Sequence, residues 1–253
     1  QANDILQYLV NEGLEASIPS IRPSTLTDER IELIARLGQR TLTIAPETGS
    51  KDLACMLRKP LNYDVARLVK KAITTGIKHI KLYIMTALPG EKESDLKETI
   101  DLIKKIIVSL PKRYPEILRV SLNPLVPKPH TPFQWLPPTP VNEARQKIEF
   151  IRKSIKSPYI RIQTYDPRWA WIQGIIALGT RDLGRILVEV AERNSGLGAW
   201  RASLSRFIDR FKYIKYGWDI DSELPWDFID VGIPKNYLVQ EYLMFKTYDN
   251  LEV

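Results

Sequence analysis

Short apolar runs alternate with segments of helical periodicity through the first half of the chain. One helical face is marked by apolar residues at intervals of three and four, namely Val65, Leu68, Val69, Ala72 and Ile73. Four runs rich in β-branched and apolar residues are bounded by turn formers, as in strands that are buried on both faces. They are SIPSIR (17–22), TLTIAPE (41–47), HIKLYIMTALP (79–89) and RVSLNPLVP (119–127). Strand and helix in alternation predict βα units and a parallel sheet.

The proline-rich stretch LPPTPV (136–141) interrupts this alternation. Beyond it, helical periodicity returns, YIRIQTY (159–165) reads as a strand, and a longer helix is expected over roughly 169–192. The pattern therefore predicts two domains of an α/β chain. Residues 1–138 would form a partial TIM-like (β/α) barrel, and residues 139–253 a mostly helical α+β domain.

Composition narrows the class of protein without naming it. The chain is 44% hydrophobic and 26% charged, and no run approaches the roughly 18 apolar residues that span a bilayer. With no signal peptide and Cys55 as the single cysteine, we expect a cytoplasmic protein with no membrane partner. Abundant Lys, Glu and Ile are typical of thermophiles. The net charge of +7 permits a polyanionic partner, but scattered Lys and Arg equally describe an ordinary solvated surface.

Polar and turn-forming residues gather where the predicted strands end, and the carboxyl ends of parallel strands are where sites form. In APETGSKDLACMLRKP (45–60), Glu47 leaves a strand and Ser50 is suited to cap the next helix. Lys59, twelve positions after Glu47, could return to the same edge and pair with a carboxylate. A capped helix with solvated charges is the alternative interpretation.

Two further segments carry candidate chemistry. Tyr83 lies within a predicted strand, where it either faces a ligand or packs in the core. The segment SLNPLVPKPHTPFQW (121–135) carries prolines that stiffen the strand exit, and such a rigid rim suits contact with a flat heterocycle. His130 in this segment is either an acid or base near neutral pH or a structural residue.

In this order, these segments resemble the later strands of the radical S-adenosylmethionine superfamily. The resemblance rests on APETGSKDLACMLRKP, TALPGE and VPKPHTPFQW. The last of these, with DPRWAWIQGIIALGTRD (166–182) and LPWDFID (224–230), also resembles the group that carries an upstream cobalamin-binding-like domain. The resemblance implies strands 3–6 of a barrel that holds a [4Fe-4S] cluster and S-adenosylmethionine, whose reductive cleavage yields a 5′-deoxyadenosyl radical.

The resemblance also assigns binding roles by position. Glu47 matches a residue that contacts the methionine or ribose part, Lys59 a residue for the methionine carboxylate, and Tyr83 a ribose contact. The backbone at Val126 and Pro127 matches the segment beside the adenine. The implied cofactor-binding set is Glu47, Thr48, Ser50, Lys59, Tyr83, Val126 and Pro127.

The chain departs from the superfamily because it has no CxxxCxxC motif, whose three thiolates bind the cluster. Cys55, His79 and His130 cannot replace that set. We therefore expect no metal ligands, no catalytic residue and no bound cofactor in this piece. The cluster, and cobalamin if the parent uses it, would be bound by parts of the parent enzyme upstream of Gln1.

The expected partners follow from the interpretation that the chain is a cluster-free part of a larger enzyme. They are the parent's own N-terminal half, a second copy paired through the exposed sheet edge at 17–22, and an RNA or protein substrate. Two rival functions remain open. One is an ordinary βα-barrel enzyme that uses Glu47, Lys59 and His130, and the other is a non-catalytic basic module that binds RNA or a protein partner.

Overall fold

The computed structural model describes residues 1–111, 113–206 and 211–249, which fall into two compact units. The first unit comprises residues 1–86, 91–123 and 147–164. The second comprises residues 87–90, 124–146 and the described residues from Tyr165 onward. The sheet-bearing unit thus includes a segment that lies beyond residue 138, where the sequence pattern predicted the end of the barrel domain.

A four-stranded parallel sheet forms the centre of the first unit. Its strands are β1 (Thr41–Glu47), β2 (His79–Thr86), β3 (Leu118–Pro124) and β4 (Ile160–Thr164), in the spatial order β1-β2-β3-β4. The β1–β2 and β3–β4 pairs are parallel, with Thr41 opposite His79 and Leu118 opposite Ile160. The predicted α/β fold class, a partial TIM-like barrel sheet with a helical region, is confirmed.

The run at 17–22 is not a full strand, which corrects the sequence prediction. It makes one parallel bridge, between Ile21 and Ile44. The Ile21 N–H donates to the Thr43 carbonyl oxygen at 2.9 Å, and the Ala45 N–H donates to the Ile21 carbonyl oxygen at 3.1 Å. Proline supplies no N–H, and Pro19 and Pro23 flank this bridge, so pairing cannot extend along the run. The fourth strand of the sheet is β4 instead.

Helices accompany the sheet in the first unit, and several of them begin at identifiable side-chain caps. They are α1 (Ala2–Asn11), α2 (Asp28–Arg36), α3 (Lys51–Met56), α4 (Val65–Thr75), α5 (Glu93–Ser109) and, from residue 147 onward, α6 (Val141–Ser154). The side chain of Thr27 accepts from the Arg30 N–H at the start of α2, and that of Asp64 accepts from two N–H groups of α4. Gly76 ends α4 at a φ of 119°, a left-handed conformation that favours glycine.

The two faces of the sheet differ, contrary to the prediction of strands buried on both. Burial alternates along β1, β2 and β3. Leu42, Ile80 and Val120 lie on the fully buried face, within the apolar cluster that includes residues of α4 and α5. The opposite face, here called the open face, carries half-buried and mostly polar side chains, among them Lys81 and Ser121. Such polar groups require solvent or polar partners, so this face is not a second apolar core.

The second unit is helical in its described part. It contains a 3₁₀ turn (Pro132–Trp135) and the helices α7 (Pro167–Ala177), α8 (Leu183–Glu192), α9 (Leu197–Ser205), α10 (Tyr213–Tyr216) and α11 (Lys235–Asp249). Its separate apolar cluster is centred on aromatic residues such as Trp135, Trp200 and Trp226. Across the described residues of both units, no helix has the length and apolar character that crossing a bilayer requires.

Candidate functional site

An ion pair joins the end of β1 to the segment after α3. The Lys59 Nζ atom lies 2.5 Å from the Glu47 Oε1 atom, and the two side chains are only 24% and 15% exposed. Glu47 adopts a φ of 70° at a register shift in β1, which turns the chain out of the strand. The Lys59 N–H donates to the Ala54 carbonyl oxygen at 2.8 Å, which closes α3 and returns the chain to the sheet edge. The sequence pattern predicted this convergence.

The turn between them is anchored on α5. The Ser50 hydroxyl donates to the Asp95 Oδ1 atom at 2.5 Å and accepts from the Leu53 N–H at the start of α3. The Gly49 N–H donates to the Thr99 Oγ1 atom at 2.9 Å, and Thr48 accepts from the Ser50 N–H. Thr48 and Ser50 are both buried, so their hydroxyls hold the turn that positions Glu47. Their predicted contact with a cofactor remains a prediction.

A small pocket beside the ion pair brings in residues that the sequence analysis missed. It has a volume of about 140 Å³, and its walls include Arg22, Lys59 and Tyr63. Burial raises the pKa of the Tyr63 phenol, Arg22 opposes this shift and Glu47 adds to it, so Tyr63 lies within electrostatic reach of both charges. Arg22 is the last residue of the first apolar run (17–22). A positively charged residue at the end of a predicted strand is the signal that could have identified it as part of the site.

Tyr83 occupies the open face of β2. Its side chain is half-buried, and the Lys81 Nζ atom lies 4.8 Å from the centre of its ring. The adjacent residue, Ile84, is the register partner of Glu47. The structure therefore places Tyr83 away from the apolar core. This position favours the interpretation that Tyr83 faces a ligand over the interpretation that it packs in the core.

Val126 and Pro127 follow β3 and belong to the second unit, where Val126 is half-buried and Pro127 is buried. His130 adopts a φ of 55°, and its backbone N–H donates to the Gln134 Oε1 atom at 3.0 Å. The same oxygen accepts from the Trp226 Nε1 atom at 2.7 Å. These contacts fix the backbone of His130 in the proline-rich segment and leave the role of its imidazole open. The adenine contact of Val126 and Pro127 remains a prediction.

The ligands of an iron–sulfur cluster are not supplied by this chain. Cys55 is its single cysteine and lies exposed on α3. Within residues 1–111, 113–206 and 211–249, no group of three or more His, Cys, Asp or Glu side chains could hold a metal ion. A [4Fe-4S] cluster requires three protein thiolates in this chemistry, so the donor set does not fit.

Comparison with known proteins agrees with the ordered motifs. The Radical SAM superfamily profile matches residues 4–103, a range that contains Glu47, Lys59 and Tyr83. An uncharacterized protein of Methanocaldococcus jannaschii is 31% identical over 216 residues, which cover 83% of this chain and 46% of the relative. The chain thus spans less than half the length of that curated relative. Residues 4–103 are a domain of the radical SAM superfamily.

Proposed function

We propose that this chain supplies S-adenosylmethionine-binding strands of a radical SAM enzyme that modifies an unidentified substrate. The superfamily implies an enzyme for the whole protein, and this chain alone is proposed to be inactive. The observation that carries the proposal is the ion pair of Glu47 and Lys59 beside the end of β1. Thr48 and Ser50 hold the turn, and Tyr83 lies on the neighbouring strand.

The charges of the ion pair match those of a methionine group. A carboxylate such as Glu47 accepts hydrogen bonds from an ammonium group, and the Lys59 ammonium donates to a carboxylate. A bound zwitterion would satisfy both side chains at once, replacing their mutual contact. The Tyr83 hydroxyl is suited to a ribose hydroxyl.

The proposed cofactors would be held by different parts of the whole protein. Bound S-adenosylmethionine supplies hydrogen-abstracting radical chemistry once it receives an electron. Because this chain holds one cysteine, the [4Fe-4S] cluster is proposed to be bound by other parts of the whole protein, as is cobalamin if it is used. The chain's own residues bind and orient the nucleoside.

The test is calorimetric binding of S-adenosylhomocysteine and 5′-methylthioadenosine to the 253-residue chain. The first ligand carries the methionine-like carboxylate and ammonium, and the second lacks both. Lys59→Met should weaken S-adenosylhomocysteine binding by at least about tenfold, because the partly buried carboxylate of the ligand would lose its positively charged partner. Binding of 5′-methylthioadenosine should change by less than about twofold.

Lys71→Met is the matched control, because Lys71 pairs with Glu32 on the helix surface, away from the sheet edge. It should leave both affinities unchanged. Loss of both ligands in Lys59→Met would show that the ion pair maintains the fold rather than binds methionine. Failure of the unsubstituted chain to bind S-adenosylhomocysteine at millimolar concentration would refute the proposal for this chain.

The second candidate function is that of a non-catalytic basic module that binds RNA or a protein partner, and the distribution of charge between the units supports it. The first unit holds 24 Lys and Arg against 16 Asp and Glu, whereas the second holds 13 against 14. The excess positive charge therefore belongs to the unit with the sheet. Salt-dependent binding of RNA by the chain, without binding of S-adenosylhomocysteine, would favour this alternative.

A further inference from the structure

A second concave site lies wholly within the second unit. It is a pocket of about 760 Å³, formed by the start of α8 and by residues between 211 and 222. This volume falls within the range of about 300–1,000 Å³ that is typical of small-molecule sites. Glu47, Lys59 and Tyr83 do not line it, so it is separate from the proposed S-adenosylmethionine site.

Two aromatic rings form a fixed part of its wall. The rings of Tyr213 and Trp218 stack with their centres 5.3 Å apart and their planes 4° from parallel. The Tyr213 hydroxyl donates to the Ile175 carbonyl oxygen at 2.9 Å, and the Trp218 Nε1 atom donates to the Leu178 carbonyl oxygen at 3.1 Å. Since both polar groups are engaged within the protein, the rings are held in a set orientation. Tyr213 is only 3% exposed and supports the half-buried Trp218, which presents the apolar surface.

The backbone between these rings is also constrained. Gly217 adopts a φ of 73°, and a Cβ atom there would overlap the Trp135 carbonyl oxygen. The same oxygen accepts a hydrogen bond from the Trp218 N–H at 2.9 Å. Only glycine fits this position without displacement, so the aromatic wall is set before any ligand arrives.

Groups of both charges stand at the exposed rim. Tyr216 is 69% exposed, and Asp182, Arg185 and Asp219 are also exposed while lining the pocket. An exposed aromatic ring stacks on a planar base, and a guanidinium group binds phosphate with paired N–H donors. Carboxylates accept hydrogen bonds from sugar hydroxyls.

We propose that this pocket binds a nucleotide. A nucleotide joins, in one molecule, the planar ring, the hydroxyls and the phosphate that these groups recognise. A purely apolar ligand would leave Asp182, Arg185 and Asp219 without a role. A free sugar would leave the stacked aromatic wall unused. The proposal does not depend on radical chemistry, because no residue of the sheet takes part.

The experiment is calorimetric titration of the full chain with the four common nucleoside 5′-monophosphates, their nucleosides and ribose 5-phosphate. Arg185→Gln should weaken nucleotide binding by about tenfold and leave nucleoside binding unchanged, because the lost contact is to phosphate. Tyr216→Ala should weaken both by about tenfold, because the lost contact is stacking. Both side chains are exposed, so neither change should unfold the protein.

Arg181→Gln and Tyr237→Ala are the matched controls, since both residues are exposed and neither lines the pocket. They should leave every affinity unchanged. A single-stranded oligonucleotide of RNA identifies the source of the nucleotide: tighter, competing binding indicates an RNA strand, and equal or weaker binding indicates a free nucleotide.

Three results would overturn the proposal. One is the absence of nucleotide binding at millimolar concentration. Another is binding that Arg185→Gln and Tyr216→Ala leave intact. The third is nucleotide binding abolished by Lys59→Met, which would place the ligand at the sheet rather than in this pocket.

Discussion

Replacing Gly49 with alanine probes whether the turn after β1 is held against α5 as closely as the structure shows. A Cβ atom at Gly49 would lie 2.7 Å from both the Glu98 carbonyl oxygen and the Thr99 backbone nitrogen, and nearer still to the Thr99 Cα atom. Ordinary contacts between such atoms begin near 3.4 Å. Because the obstructing atoms are helix backbone, no side-chain rotation relieves the overlap, and the turn must move away from α5.

The expected cost follows from what that movement disrupts. Relieving an overpacked site costs about 1–3 kcal/mol. The hydrogen bonds from the Gly49 N–H to Thr99 and from the Ser50 hydroxyl to Asp95 each contribute about 0.5–1.5 kcal/mol. We therefore expect the free energy of unfolding to fall by about 4 kcal/mol.

Urea denaturation followed by far-ultraviolet circular dichroism measures this change. Gly184→Ala is the control, because Gly184 is exposed in α8 and a Cβ atom there meets nothing within 4 Å. That substitution should stabilise the protein by up to about 1 kcal/mol, through helix propensity. A Gly49→Ala protein within about 0.5 kcal/mol of the original would refute the close packing of the turn.

Two other substitutions test the units separately. In the first unit, the Lys105 side chain, with the Arg67 and Ala66 N–H groups, holds the pKa of Asp64 below its ordinary value. The ionised Asp64 carboxylate therefore stabilises the folded state fully above about pH 4, and this stabilisation is lost as the pH falls through the lower folded-state pKa. Asp64→Asn should therefore lessen the acid destabilisation measured by denaturation between about pH 5 and pH 2. An unaltered acid profile in Asp64→Asn would contradict the assignment. In the second unit, Gln134→Leu removes the acceptor of both the Trp226 indole and the His130 N–H, and should lower the thermal unfolding temperature through a loss of about 2–4 kcal/mol. An unchanged melting temperature would show that these two donors find other acceptors.

The sequence predicted the sheet best where local pattern and tertiary pairing agree. β1 and β2 fall within the predicted runs, and β3 begins one residue before its run, because β-branched residues, bounded by turns, have few other stable arrangements. The run at 17–22 has the same composition, but its pairing depends on N–H groups that Pro19 lacks. The strand at 159–165 was recognised, yet its parallel pairing with β3 is a long-range contact that no local pattern specifies.

The candidate site, like the sheet, could be predicted where it depends on local elements and not where it depends on long-range contacts. Glu47 and Lys59 could be paired from the sequence because both follow from the ends of local elements, a strand and a short helix. Arg22 and Tyr63 were missed because their place beside Lys59 depends on how distant segments meet at the sheet edge. The pocket of the second unit was missed for the same reason, since its walls come from α8 and from a segment some thirty residues later.

The polar residues on the open face of the sheet indicate what kind of surroundings the first unit requires. In β3, Ser121 and Asn123 lie on this face together with Arg119, whose Nη2 atom lies 3.7 Å from the Glu116 Oε2 atom. Half-buried polar side chains require solvent or polar partners, so this face is suited to polar groups opposite it. A sheet covered by helices on both sides would carry apolar residues at these positions. Polar residues instead suit the interior of a barrel that receives a charged nucleoside, which is the environment that Glu47, Lys59 and Tyr83 are proposed to provide.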